Sequence, residues 1–99
     1  MARKRNRKPS HPGLVFKLDV MEPLNLNVTQ VAKAIGVSRK HLSLFVNEHI
    51  PCSKDLAQRI AIATKTSMRS WLDMQIALDV WEAENQPNKA MSKVRTLAA

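Results

Sequence analysis

Val28-Thr29-Gln30-Val31-Ala32-Lys33-Ala34-Ile35-Gly36-Val37-Ser38-Arg39-Lys40-His41-Leu42-Ser43-Leu44-Phe45-Val46-Asn47 reads as two short helices joined by a glycine corner. In the first half Val31, Ala32 and Ile35 fall at i, i+1 and i+4, on one side of a 3.6-residue helix. Ala32 is small enough to let a second helix cross closely. Gly36 stands where the chain must leave that helix, and glycine takes the left-handed cap conformation without steric cost. Ser38 is a good N-cap, after which Leu42, Phe45 and Val46 repeat at i, i+3 and i+4 as the buried stripe of the next helix. Upstream, Asn27 with Gln30 is a capping-box pair that starts the first helix near Val28. With Val37 also apolar, the corner is short and packed, unlike an ordinary helical hairpin.

The arrangement resembles the helix-turn-helix of phage-repressor-like regulators, in which the second helix enters the DNA major groove. With Leu42, Phe45 and Val46 turned inward, Lys40, Ser43, Leu44 and Asn47 lie opposite, and Ser38 and Arg39 project from the N-terminal end. Thr29, at the start of the first helix, is grouped with them as a candidate DNA-binding residue. Arg39 suits a bidentate grip on guanine O6 and N7, and Lys40 offers the same edge a point charge. Leu44 suits a thymine methyl, and Ser43 a base or a phosphate. A plainer reading stands beside this one: Lys40 and Asn47 as solvated residues and Leu44 as packing on a neighbour.

Composition agrees with that reading. Sixteen Lys plus Arg against eight Asp plus Glu give a net charge of +8, the balance of a chain that approaches polyanions. Arg3, Lys4, Arg5, Arg7 and Lys8 crowd ahead of Pro9 with no acidic residue among them, so residues 1–10 read as a basic flexible arm. Such an arm follows a phosphate backbone, enters a minor groove, or is simply solvated. Residues 11–84 carry nearly all the patterned apolar positions and form one DNA-binding and dimerisation domain; residues 85–99 are a polar C-terminal tail. No stretch approaches the roughly 20 apolar residues of a membrane span, and the basic start lacks the apolar segment of a signal peptide. The expected location is the cytoplasm, where the single cysteine, Cys52, stays reduced.

Five helices and no strand are expected. His11-Pro12-Gly13 opens the first, with Leu14, Val15 and Leu18 on one side, and Pro23 stops it. The motif supplies the next two. Ser53 caps a fourth carrying Leu56, Ala57, Ile60 and Ala61, and Ser67 caps a fifth that runs to about Glu84. This last helix has two apolar stripes, Trp71, Met74, Leu78 and Trp81 on one and Leu72, Ile76 and Val80 on the other, where a lone surface helix needs one. A small core leaves the surplus for a second copy, so a homodimer is expected through Trp71, Met74, Leu78 and Trp81. The alternative is that both stripes bury within the monomer.

Catalysis finds little support. His41, His49 and Cys52 have metal-ligating types but no fourth ligand, and the chain offers neither a nucleophile with a positioned base nor a glycine-rich phosphate loop. No enzyme, cofactor or metal site is expected.

The order of these pieces is similar to that of HigA-type antitoxins, also called the virulence-associated protein I group. The resemblance spans about Pro9 to Glu84. It rests on His11-Pro12-Gly13, Glu22-Pro23-Leu24, Val28-Thr29, Val31-Ala32, Ile35 to Arg39, Leu42-Ser43, Ser70 to Gln75 and Asp79-Val80-Trp81. Asn47-Glu48 replaces the usual Asn-Gly, and Met68-Arg69-Ser70 stands where proline and an acidic residue are common. The resemblance implies an all-α, five-helix domain with a long C-terminal dimerisation helix. It further implies a homodimer that binds the double-stranded operator of its own operon and neutralises a HigB-type ribonuclease toxin. The acidic residues Asp73, Asp79, Glu82 and Glu84 are the one obvious patch for a basic toxin, although a solvated helix face is the plainer reading of them. A free-standing repressor of the same fold is the competing reading, and RNA binding by the arm a third.

Overall fold

A computed structural model describes residues 7–98 of the chain. Among them are five α-helices and no strand: α1 (Pro12–Phe16), α2 (Val28–Ile35), α3 (Arg39–Val46), α4 (Lys54–Thr64) and α5 (Met68–Asn85). A short 3-10 turn, Lys89–Lys93, follows α5 and buries nothing. Arg3, Lys4 and Arg5, the centre of the expected arm, lie outside the described residues.

Each helix starts where a side chain satisfies an orphan backbone donor. His11 Nδ1 accepts from Gly13 N at 2.9 Å, and Pro12 occupies the first helical position of α1, where its missing N–H costs nothing. Asn27 and Gln30 close the reciprocal capping box of α2, at 2.8 and 2.9 Å. Ser38, Ser53 and Ser67 hydroxyls accept from His41, Leu56 and Ser70 amides at 3.0, 3.1 and 3.1 Å to start α3, α4 and α5. Helix ends are equally marked. Gly36 leaves α2 at φ 76°, and three side-chain-bearing residues take the same left-handed region, Asn25 ahead of α2 (φ 54°), Glu48 after α3 (φ 66°) and Lys65 after α4 (φ 55°).

The core lies between all five helices, α2 contributing Val31, Ala32 and Ile35, with Phe16, Leu42, Phe45, Leu56 and Ile60 fully enclosed. An edge contact between Phe16 and Trp71 and tilted contacts from Phe16 and His11 onto Phe45 knit α1, α3 and α5 together. The first helix does not bury the face that α-periodicity predicts. Beyond Phe16 the chain widens into a π-helical turn, Lys17–Met21, closed by the bond from Glu22 N to Lys17 O at 3.0 Å. That extra residue per turn puts Phe16 and Met21, five apart, on the core side, and leaves Leu14 and Val15 half-buried and Leu18 exposed.

The last helix also departs from expectation. Of the stripe expected to join two copies, Trp71 and Leu78 are closed within the subunit, Met74 packs on the same core, and Trp81 is partly covered. Trp71 further donates its Nε1 to Thr66 Oγ1 at 2.8 Å. Trp71, Met74 and Leu78 therefore attach α5 to its own domain, with the Trp71 ring set edge-on against Phe16. The surplus lies on the other stripe, where Ile76 and Val80 are 57% and 51% exposed and Met68 continues the line at the start of α5. Gln75, between the stripes, is buried: its Oε1 accepts from Cys52 N at 2.8 Å and its Nε2 donates to Asp79 Oδ1 at 2.8 Å.

Candidate nucleic-acid interface

The α2–α3 pair is locked by three features of very different sequence visibility. The first is the glycine corner, visible in the sequence: Gly36 N and Val37 N both return to Ala32 O, at 2.9 and 3.0 Å, and turn the chain sharply toward Ser38. The second is Gly13. A Cβ there would fall on the carbonyl oxygen of Phe45, so α1 crosses directly over the α3 backbone and only glycine fits the crossing. The third is a guanidinium from α4, Arg59, whose Nη1 donates to Ile35 O at 3.0 Å and Gly36 O at 3.2 Å. The motif alone betrays neither Gly13 nor Arg59; the first is signalled by the His-Pro-Gly triplet, whereas an arginine on a helix carries no comparable sign.

What this scaffold presents is a ridge. Leu42, Phe45 and Val46 are buried beneath α3, while Ser38, Arg39, Lys40 and Asn47 are exposed and Ser43 and Leu44 are half-exposed. Thr29 is exposed in the first turn of α2. Among the described residues, Arg39 and Lys40 have no ion-pair partner and are free to engage a ligand. Two candidates have part of their chemistry already committed. Ser38 Oγ accepts the capping bond from His41 N, which leaves its hydroxyl proton and one lone pair to offer. Asn47 folds back on α3, its Nδ2 donating to Ser43 O at 2.8 Å and Ser43 Oγ at 3.4 Å, which leaves its Oδ1 as an acceptor. Arg39, Lys40 and the Ser38 and Ser43 hydroxyls are thus the ridge's available donors, the complement of an acceptor-rich guanine edge or a phosphate.

The other sequence candidates disperse. His41 and His49 are exposed, Cys52 is buried, and among the described residues no group of three metal-ligating types is gathered. Burial pushes the Cys52 thiol up to about 11, so it is a protonated packing residue at neutral pH. The acidic residues of α5 are largely engaged. Asp73 pairs with Arg69 at 3.7 Å, Asp79 accepts from Gln75, and Glu82 meets Lys8 at 3.8 Å. Lys8 also sits 5.8 Å from the centre of the Trp81 ring, so the base of the N-terminal segment is held against the end of α5. No helix among the described residues is long and apolar enough to cross a membrane.

No protein-family model matches the chain. Individual relatives match along most of its length. Virulence-associated protein A' of Dichelobacter nodosus is 35% identical over 98 residues, covering 98% of this chain and 82% of that protein. Antitoxin HigA-1 of Vibrio cholerae is 28% identical over 95 residues, covering 96% and 90%. The chain belongs to the HigA-type antitoxin family. It is also 31% identical, over 94 residues and 83% of that protein's length, to an Escherichia coli protein named as the HTH-type transcriptional regulator YbaQ. A solved structure of the antitoxin GraA in complex with its operator superposes with a TM-score of 0.80 at 27% identity, covering 99% of this chain and 100% of that one. Of these relatives, HigA-1 and GraA are named as antitoxins and YbaQ as a transcriptional regulator. This HigA-type chain carries Glu48 where the resemblance leads one to expect glycine, and that residue takes the left-handed region at φ 66°. Its altered entry to α5 is harmless because Ser67 caps the helix.

Proposed function

We propose that this protein is the antitoxin of a type II toxin–antitoxin pair, a dimeric, sequence-specific repressor of its own operon that also binds and neutralises a HigB-type ribonuclease toxin. It works in the cytoplasm by binding and not by catalysis. The observation that carries the DNA half is the exposed Arg39–Lys40–Ser43 ridge, held rigid over fully buried Leu42 and Phe45 by the Gly13 crossing. The relative GraA, solved with its operator, supports the same half. The toxin half rests on kinship with HigA-1. Thr29, Leu44 and the remaining acceptor of Asn47 flank the ridge and complete the proposed contact surface.

Two measurements test this reading. Against the duplex upstream of the gene, Arg39→Ala should cost about 1–3 kcal/mol of binding and relax preference at one base pair. A uniform loss on unrelated duplexes would make Arg39 a phosphate contact. Co-expression with the adjoining reading frame should yield a copurifying complex and rescue growth. A second reading, a free-standing regulator, is favoured by the likeness to YbaQ; it predicts the DNA result without the complex.

A further inference from the structure

The corner between α2 and α3 is braced from outside the motif. Arg59 lies on α4, 24 residues beyond Ile35, and its Nη1 donates to Ile35 O at 3.0 Å and to Gly36 O at 3.2 Å. Its Nε donates to Asp55 Oδ2, one turn earlier on α4, at 2.8 Å. The α2 carbonyls are the orphan acceptors of a helix end, and a cation there also lies at the negative end of the helix dipole. Gly36 and Arg59 are fitted to each other: a Cβ on Gly36 would come within 2.9 Å of Nη1. The Arg59 side chain is 41% exposed, so burial alone does not account for its position. A lysine lacks the planar fork that lets one side chain serve two carbonyls and a carboxylate together.

We propose that Arg59 is a positioning residue for DNA recognition. By tying the end of α2 to α4, through a guanidinium that Asp55 holds in place, it fixes the direction in which the chain leaves Gly36. That direction sets the angle at which Arg39, Lys40 and Ser43 meet a groove. Base-edge hydrogen bonds need their donors placed within a fraction of an ångström, whereas phosphate attraction tolerates misplacement. Loss of the brace therefore weakens specific binding and spares non-specific binding. This inference rests on the reading of α3 as a DNA-reading helix.

The test uses the full-length protein, fluorescence anisotropy, and two duplexes: the sequence immediately upstream of the gene and a scrambled sequence of the same composition. Arg59→Gln is expected to lower affinity for the upstream duplex about tenfold and to leave the scrambled duplex within about twofold. The slope of log K against log salt should not change, since no phosphate contact is lost. Asp55→Asn, which frees the guanidinium without removing it, should shift the same ratio in the same direction by less, and Arg59→Lys should recover part of the loss. Asp55→Asn keeps the inference testable if Arg59→Gln proves unfolded by circular dichroism. An equal loss on both duplexes, with the slope reduced by about one, would make Arg59 a phosphate contact and overturn the proposal. Unchanged affinities beside a lowered melting temperature would overturn it in favour of a purely structural brace. A wild-type protein that does not prefer the upstream duplex would instead overturn the DNA-reading assignment beneath it.

Discussion

Glu48 shows how much one residue can carry against its own preference. It sits at φ 66° just past α3, a conformation that costs a residue with a Cβ about 1 kcal/mol and glycine nothing. Its charge also falls at the negative end of the α3 dipole, beside the ridge that would face phosphates. Glu48→Gly should therefore raise stability by about 1 kcal/mol, read as a higher urea midpoint, and strengthen binding to duplex DNA at low salt. An unchanged midpoint would mean that the turn relaxes without strain. Gly13 predicts the opposite sign. Gly13→Ala drives a methyl group into the Phe45 carbonyl, so α1 and α3 must separate, at a cost of about 3 kcal/mol. Cys52 supplies a pH dependence. Its thiol moves from an ordinary 9.0 to about 11 on burial, so folding favours the protonated form. That stabilisation is complete below pH 9 and disappears as pH rises through 11. Cys52→Ala should flatten the fall in stability across this window, measured against wild type so that lysine titration cancels.

At the scale of elements, periodicity and capping made α2, α3, α4 and α5 legible because each begins at a side chain that can accept a backbone N–H and ends at a residue leaving the helical region. The exposed ridge was legible for the same reason: once Leu42, Phe45 and Val46 are fixed inward, helical geometry alone turns Arg39 and Lys40 out. What escaped depends on packing. The π-helical turn after Phe16 changes the period at which residues return to the core, and no local preference announces it. On α5, two stripes of similar hydrophobicity compete for one core, and the Trp71 ring, packed on Phe16, turns its own stripe inward and leaves Ile76 and Val80 outside. Gln75 is the polar counterpart. It was legible as part of the resemblance but not as a strut, since its partner is a backbone amide 23 residues earlier. Gln75→Leu should strip Cys52 N of its acceptor inside the fold, costing about 1–3 kcal/mol. The matching observation is loss of hydrogen-exchange protection at the Cys52 amide, and retained protection would show that another acceptor substitutes.

For the whole molecule, the question is how two ridges come to act together. One 11.2 kDa chain presents a single recognition helix, while regulators of this architecture gain specificity by placing two about 34 Å apart on one face of the duplex. Met68, Ile76 and Val80 are left open along one side of the longest helix, with half-buried Leu72 packed on its own core between them, and we propose this line as the isologous seam. Trp71 and Leu78 hold that helix rigidly from its other side, so the seam is a firm surface. Ile76→Gln with Val80→Gln removes the apolar seam without adding charge or disturbing the enclosed core, because both side chains are already more than half exposed. The double variant should sediment as a single chain with unaltered helical circular dichroism, whereas the wild type should sediment at twice that mass. Wild-type melting should rise with protein concentration and the variant's should not. On DNA, the variant should keep its affinity for an isolated half-site and lose the gain from joining two half-sites, since the second contact is no longer intramolecular. A wild-type melting temperature independent of concentration, with a single-chain mass, would move the pairing of half-sites from the protein to the DNA itself.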